Sequence, residues 1–192
     1  MAGLFSARDS PLRSAVKPPP VCCLAIGGDV GGDGFCNCEQ AQFGCFVIAN
    51  TLPTEGDAFH ACKLLHAAGP SKVIITSLEV NGSLLLIGSN LRSKDEAPEQ
   101  FRITMSKIPE YFTGTGDLMT ALILGWSHKY PNDLEKATEL AVSSLQSVLK
   151  RTVADYLAAK IRPCVKQLEL RLIQCQDEIK FPKVTHSAQR YP

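Results

Sequence analysis

The residues Gly114-Thr115-Gly116-Asp117 stand immediately before Leu118-Met119-Thr120-Ala121-Leu122, an apolar run with helical spacing. Two glycines let the backbone turn tightly and approach a ligand closely. A helix opening at that turn directs unpaired N–H groups and the positive end of its dipole back toward it. Such an arrangement binds anions, phosphates among them. Asp117 is an unusual residue at an anion site unless it performs chemistry there. A carboxylate beside a bound phosphate suits a base that removes a proton from an attacking hydroxyl. The first expectation is therefore phosphoryl transfer. The alternative is structural: the same four residues are a capped helix start, with Asp117 stabilising the dipole from the first turn. On these residues alone both readings stand.

The elements around the turn must hold it in place. Thr54 and Asp57 form a capping pair for a helix through Ala58, Cys62, Leu64 and Leu65, which Gly69-Pro70 ends. Lys72-Val73-Ile74-Ile75-Thr76-Ser77 is a compact apolar strand of the kind found in a covered sheet. Asn81-Gly82 between Leu78-Glu79-Val80 and Leu84-Leu85-Leu86-Ile87 signals a two-residue hairpin. Residues 91–99 read as a surface loop, and Phe101 to Ile108 as a further strand. The helix after Gly-Thr-Gly-Asp runs to about His128. A long helix starts at Pro131-Asn132-Asp133, with Leu134, Ala137, Leu140, Ala141, Leu145, Val148, Leu149, Val153 and Tyr156 on one face, and Arg162-Pro163 stops it. Leu168-Glu169-Leu170-Arg171-Leu172-Ile173 alternates like a terminal strand. This order of elements is α/β. The phosphate turn then lies beside the carboxyl ends of sheet strands, where open α/β sheets bind ligands.

The first fifty or so residues differ. Residues 1–20 are rich in Ser, Arg and Pro, read as extended or disordered, and have a composition similar to an organelle transit peptide. Gly27 to Phe35 is a glycine loop without the Lys-Ser/Thr of a P-loop or the Asp spacing of an EF-hand. Cys45 to Asn50 reads as a short buried strand. The chain divides into an irregular segment, 1–53, and an orderly domain, 54–192.

Composition narrows the function classes. In 192 residues the chain has 45% hydrophobic and 20% charged residues, enough for one domain with a core. A net charge of +1 argues against nucleic acid or an anionic membrane surface as partner. No stretch is long and apolar enough to span a bilayer, and no secretory h-region follows Met1. Of eight cysteines, Cys22, Cys23, Cys36, Cys38 and Cys45 fall before residue 50, without zinc-knuckle spacing or an interleaved histidine. They read as free thiols in a reducing compartment, so the expected location is cytoplasmic and no metal ligands are expected. His60, His66, His128 and His186 are scattered and read as surface or internally satisfied histidines. Trp126 reads as core.

From about residue 58 onward the chain resembles the pyridoxal kinase family, most closely its plant form, within the ribokinase-like superfamily. Ala61 to Ser77 carries the resemblance, with Leu85 to Ser89 and Pro98 to Phe101. It is strongest from Tyr111 through Trp126 and on to Asn132, and extends through Leu168 to Gln174. The resemblance implies the C-terminal, nucleotide-binding portion of a ribokinase-like three-layer fold, truncated at its N-terminus. It implies ATP-dependent phosphorylation of the 5′-hydroxyl of pyridoxal, and of pyridoxine and pyridoxamine, for pyridoxal phosphate salvage. It assigns Asp117 as base, Gly114, Thr115 and Gly116 as the anion hole, and Gly116 and Asp117 as substrate contacts. Thr76, Ser77, Met105, Ser106, Lys107, Ile108 and Thr115 become nucleotide contacts, with ATP and Mg²⁺ as cofactors and a homodimer as the assembly.

Residues 1–53 depart from the family. Its Thr-Pro-Asn-x-x-Glu motif is expected shortly before residue 58; Cys38-Glu39-Gln40-Ala41-Gln42-Phe43-Gly44 stands there instead. Two alternatives follow: an inactive nucleotide-binding or dimerisation module, and a ribokinase-like kinase of another small alcohol such as a hydroxymethylpyrimidine.

Overall fold

The computed structural model describes residues 24–25, 43–47, 54–67, 69–93, 96–159 and 168–191. The expected disorder of 1–20, the glycine loop 27–35 and the Arg162-Pro163 stop lie outside them. In chain order the elements are β1 (Leu24–Ala25), β2 (Phe43–Val47), α1 (Glu55–Ala67), β3 (Lys72–Val80), β4 (Ser83–Asn90), β5 (Glu99–Met105) and β6 (Phe112–Thr113). Then follow α2 (Thr115–Lys129), α3 (Leu134–Ala158), β7 (Leu168–Glu169), α4 (Gln176–Lys180) and β8 (Gln189–Arg190). The main sheet has the order β1-β2-β3-β4-β5-β8. Its β2–β3 pair is parallel and its other pairs are antiparallel. Two stretches of 1–53 thus belong to the sheet: β2 overlaps the strand read over Cys45 to Asn50 but starts two residues earlier, and β1 falls where no element is expected.

Local chemistry accounts for the elements. Thr54 caps α1: its Oγ1 accepts from the Asp57 N–H at 3.2 Å and donates to the Asp57 carboxylate at 2.6 Å. Asn81 and Gly82 hold φ of 50° and 77°, the left-handed pair that matches the twist of a tight hairpin. Asp133 caps α3 by accepting from the Lys136 N–H at 2.9 Å.

Strands β3 to β5 are buried on both faces. Val73, Ile75, Leu78, Leu85 and Ile87 pack with Ala58, Phe59 and Cys62 of α1. Ile74, Leu86, Phe101, Ile103 and Met105 pack with Met119, Leu122 and Ile123 of α2 and Leu134, Ala141, Leu145 and Leu149 of α3. The result is three layers, α1 on one face and α2 with α3 on the other.

Two strand expectations are corrected. The strand read through Ile108 ends at Met105, because Ser106 to Ile108 leave the sheet ahead of Pro109, a residue that restricts its predecessor and donates no ladder bond. The terminal strand read over 168–173 is only Leu168–Glu169, paired in parallel with β6. Beyond it Leu170 still packs on the core in part, but the alternation then loses it, since Leu172 is 42% and Ile173 79% exposed. The Cys175 N–H donates to the Arg171 carbonyl at 3.1 Å, and the chain turns into α4.

Candidate active site

Gly114 stands at the N-cap of α2 with φ 82° and ψ 12°, a conformation that glycine adopts without the strain a side chain adds. The first bond of the α2 ladder runs from the Leu118 N–H to the Gly114 carbonyl at 3.0 Å. The N–H groups of Thr115, Gly116 and Asp117 come before it and point out along the helix axis. Thr120 Oγ1 donates back to the Gly116 carbonyl at 2.8 Å and tightens this turn. Ahead of it β6 is fixed by β7, and the Leu168 N–H donates to the Tyr111 carbonyl at 2.7 Å. The sequence therefore makes a strand–turn–helix, with the turn held from both sides.

Thr115 and Gly116 open onto a cavity of about 270 Å³. Thr76, Ser77 and the whole run Met105 to Ile108 line the same cavity. Residues from three separate parts of the sequence, expected to contact a nucleotide, are thus brought together. Thr76 and Ser77 are aimed by a β-bulge: the β3–β4 register shifts between Ile75 and Leu78, and Ser77 takes φ 65°. A serine in the left-handed region carries strain of roughly 1–3 kcal/mol, a feature that clusters at functional sites. Gly114 and Asp117 lie outside the lining; Asp117 is exposed, one residue past Gly116. The Lys107 ammonium is engaged by Glu79, with its Nζ donating to both carboxylate oxygens at 2.9 and 3.0 Å. This ties the 106–108 segment to the end of β3.

The sequence reading missed the rest of the lining. Leu84, Phe112, Met119, Leu145 and Leu149 make an apolar wall, and Gln146 adds one amide. Met119, Leu145 and Leu149 have the spacing of core residues on α2 and α3, so periodicity alone does not separate wall from core. Gln146 was the available signal, a polar residue between Leu145 and Val148 on a buried helix face.

A larger groove of about 600 Å³, bordered by Lys63, Ser71, Arg92 and Pro98, lies elsewhere and contains none of the expected site residues. Its Arg92 is paired with Glu99 at 3.0 Å. Chemistry rather than size singles out the smaller cavity. Among the described residues no group of three His, Cys, Asp or Glu could hold a metal ion, and no helix is long and apolar enough to cross a membrane. Cys62 and Cys175 are free and buried, and burial pushes the Cys62 thiol up to about 12. His66 is internally satisfied, as expected. Its Nδ1 lies 2.8 Å from the Pro70 carbonyl and its Nε2 2.8 Å from the Ser89 hydroxyl. Trp126 packs on the core only in part and also stacks on Tyr130, ring centroids 6.3 Å apart.

No protein-family model matches the chain. A pyridoxal kinase of Arabidopsis thaliana is 59% identical over 140 residues, covering 73% of this chain and 45% of its own length. A pyridoxal kinase of Bos taurus is 37% identical over 153 residues, 74% of this chain and 49% of its own length. The solved structure of a Leishmania donovani pyridoxal kinase in complex with ADP and pyridoxine matches with a TM-score of 0.66 at 18% identity, over 81% of this chain and 53% of that one. The structural likeness speaks for the fold. The chain spans about half the length of the relatives it matches. With the three-layer fold, the strand–turn–helix at Gly114–Asp117 and these sequence identities together, the chain belongs to the pyridoxal kinase family.

Proposed function

We propose that this chain takes part in the ATP-dependent phosphorylation of the 5′-hydroxyl of pyridoxal, pyridoxine or pyridoxamine. One observation carries the reading: the open N-terminus of α2 meets the cavity lined by Thr76, Ser77 and Met105–Ile108. A nucleotide whose base lies in the apolar part of that cavity brings its terminal phosphate to the N–H groups of Thr115 and Gly116. Those donors and the helix dipole are fixed before the reaction and stabilise charge on the transferring phosphoryl oxygens without reorganising. Gly114 contributes by letting the chain turn into that geometry.

Asp117 is the proton acceptor in this scheme. Its carboxylate takes the proton of the substrate hydroxyl as the oxygen bonds to the γ-phosphorus. The bond from that phosphorus to the β–γ bridging oxygen breaks, and ADP leaves. The exposure of Asp117 on the solvent side of the turn suits an approach opposite the nucleotide. Mg²⁺ would come with the nucleotide and would neutralise charge on its phosphates. The two free buried thiols fit a reducing, cytoplasmic setting. Exposed Leu157, Ile173 and Phe181 fit self-association as a homodimer, which the solution mass of the purified protein tests.

The same exposure of Asp117 supports a second reading, a module that binds nucleotide without transferring phosphate: the cavity that Thr115 and Gly116 line does not have Asp117 in its lining. One assay separates the two. Purified chain with MgATP and pyridoxal forms pyridoxal phosphate under the first reading, and Asp117→Ala abolishes product while leaving ATP affinity within about twofold. Undiminished turnover in that variant overturns the base assignment. ATP binding without product in the wild type selects the second reading.

A further inference from the structure

We propose that Gln146 makes the site selective for adenine nucleotides, its side-chain oxygen accepting a hydrogen bond from the exocyclic amino group of the base. This rests on the nucleotide reading of the cavity and adds a discriminating residue to it. Gln146 projects from α3 into the cavity lining and is 3% exposed. Its Nε2 lies 3.4 Å from the Ser106 carbonyl oxygen. A carbonyl only accepts, so this contact fixes which end of the amide is nitrogen. The other end, Oε1, is buried and has no hydrogen-bond partner among the described residues. Buried side-chain oxygens are as a rule paired, and a persistent orphan beside a cavity calls for a ligand donor or a bound water.

The surroundings choose between those two. Leu84, Met105, Leu145 and Leu149 form the nearby wall, which suits a flat aromatic base and offers a water few further polar partners. Adenine carries an amino donor at C6. Guanine carries a carbonyl there, which would set two acceptors face to face at Gln146. A site built around one buried polar group rejects analogues that leave it unpaired far more strongly than it rejects small changes of shape.

The test compares three ligands on the full chain by calorimetry: MgATP, MgGTP and purine riboside 5′-triphosphate, which is ATP without the amino group. The wild type is expected to bind ATP at least about tenfold more tightly than either other ligand, the scale of one buried hydrogen bond. Gln146→Met preserves length and volume without an acceptor. It is expected to bring ATP affinity down to that of the deaminated analogue and to leave the analogue's own affinity unchanged. Equal loss for both ligands makes Gln146 a packing residue and overturns the proposal. Equal wild-type affinity for ATP and the analogue overturns it independently of any variant, and identifies the orphan oxygen as water-bound. Wild-type protein that binds none of the three removes the nucleotide reading itself.

Discussion

At Gly116 an added methyl group would meet no heavy atom within 4 Å, whereas Gly114 holds φ 82°. The two glycines of the turn therefore differ in kind. Gly114 is required by the backbone, since L-residues in that region cost roughly 1–2 kcal/mol. Gly116 is free of any internal demand, and its open side belongs to whatever approaches the helix end. Gly116→Ala is expected to leave the thermal midpoint unchanged or slightly raised, because alanine is the better helix former. The same change is expected to weaken ATP binding by about tenfold or more, as the methyl group intrudes on a phosphate. Thermal melts and ATP titrations on the one variant check both halves. A destabilised protein with normal ATP affinity would return Gly116 to a structural role.

Among the elements, the β4–β5 ladder has one position with no room for a side chain. Gly88 faces Phe101 across the ladder, and a Cβ on Gly88 would stand 2.1 Å from the Phe101 Cζ. The phenyl ring lies over the glycine and is itself 1% exposed. Gly88→Ala is expected to destabilise by about 1–3 kcal/mol through overpacking. Combined with Phe101→Leu, it is expected to cost less than the sum of the two single changes, measured by urea unfolding of all four proteins. Additive losses would show that the ring has room to move. This glycine also shows where sequence reading stops. Apolar runs and local turn chemistry were legible: Asn81-Gly82, Thr54 with Asp57, and Asp133 each formed the element that their side chains encode. The gathering of Thr76, Ser77 and Met105–Ile108 at one cavity was legible through resemblance. What long-range packing decides was not. No local signal marks Gly88 as a slot for a ring, Ser77 as a left-handed residue in a bulge, or Leu170 onward as a turn rather than a strand. Gln146 belongs with these, since its role depends on Ser106 on another element.

For the molecule as a whole, the buried histidine between α1 and β4 sets a pH limit. His66 bridges the Pro70 carbonyl and the Ser89 hydroxyl, and Ser89 also accepts from Gln100 Nε2 at 3.3 Å. Pro70 can only accept, so Nδ1 carries the proton; in the neutral ring Nε2 then accepts from the Ser89 hydroxyl. Burial lowers its pKa from the ordinary 6.5, against a smaller opposite push from the Pro70 bond. His186 is lowered as well, by burial and by Lys150. The unfolded chain therefore takes up protons near pH 6.5 that the folded chain refuses. This contribution is complete above that pH and is lost progressively as pH falls below it. Urea midpoints are expected to drop between pH 7.5 and 5.5, and to drop less in His66→Gln. An equal drop in both proteins would shift the cause to other groups.

The short parallel pairing of β6 with β7 also orders events in time. The turn that holds Gly114 to Asp117 is steadied by Leu168 and Glu169, which come after the whole of α3. Contacts so distant along the chain form late, because loop closure must precede any gain from them. As the polypeptide emerges from the ribosome, β1 to β5 and α2 are complete while the Gly114–Asp117 turn still lacks its support. The nascent protein acquires most of its sheet first and a braced Gly114–Asp117 turn only after α3 has been made.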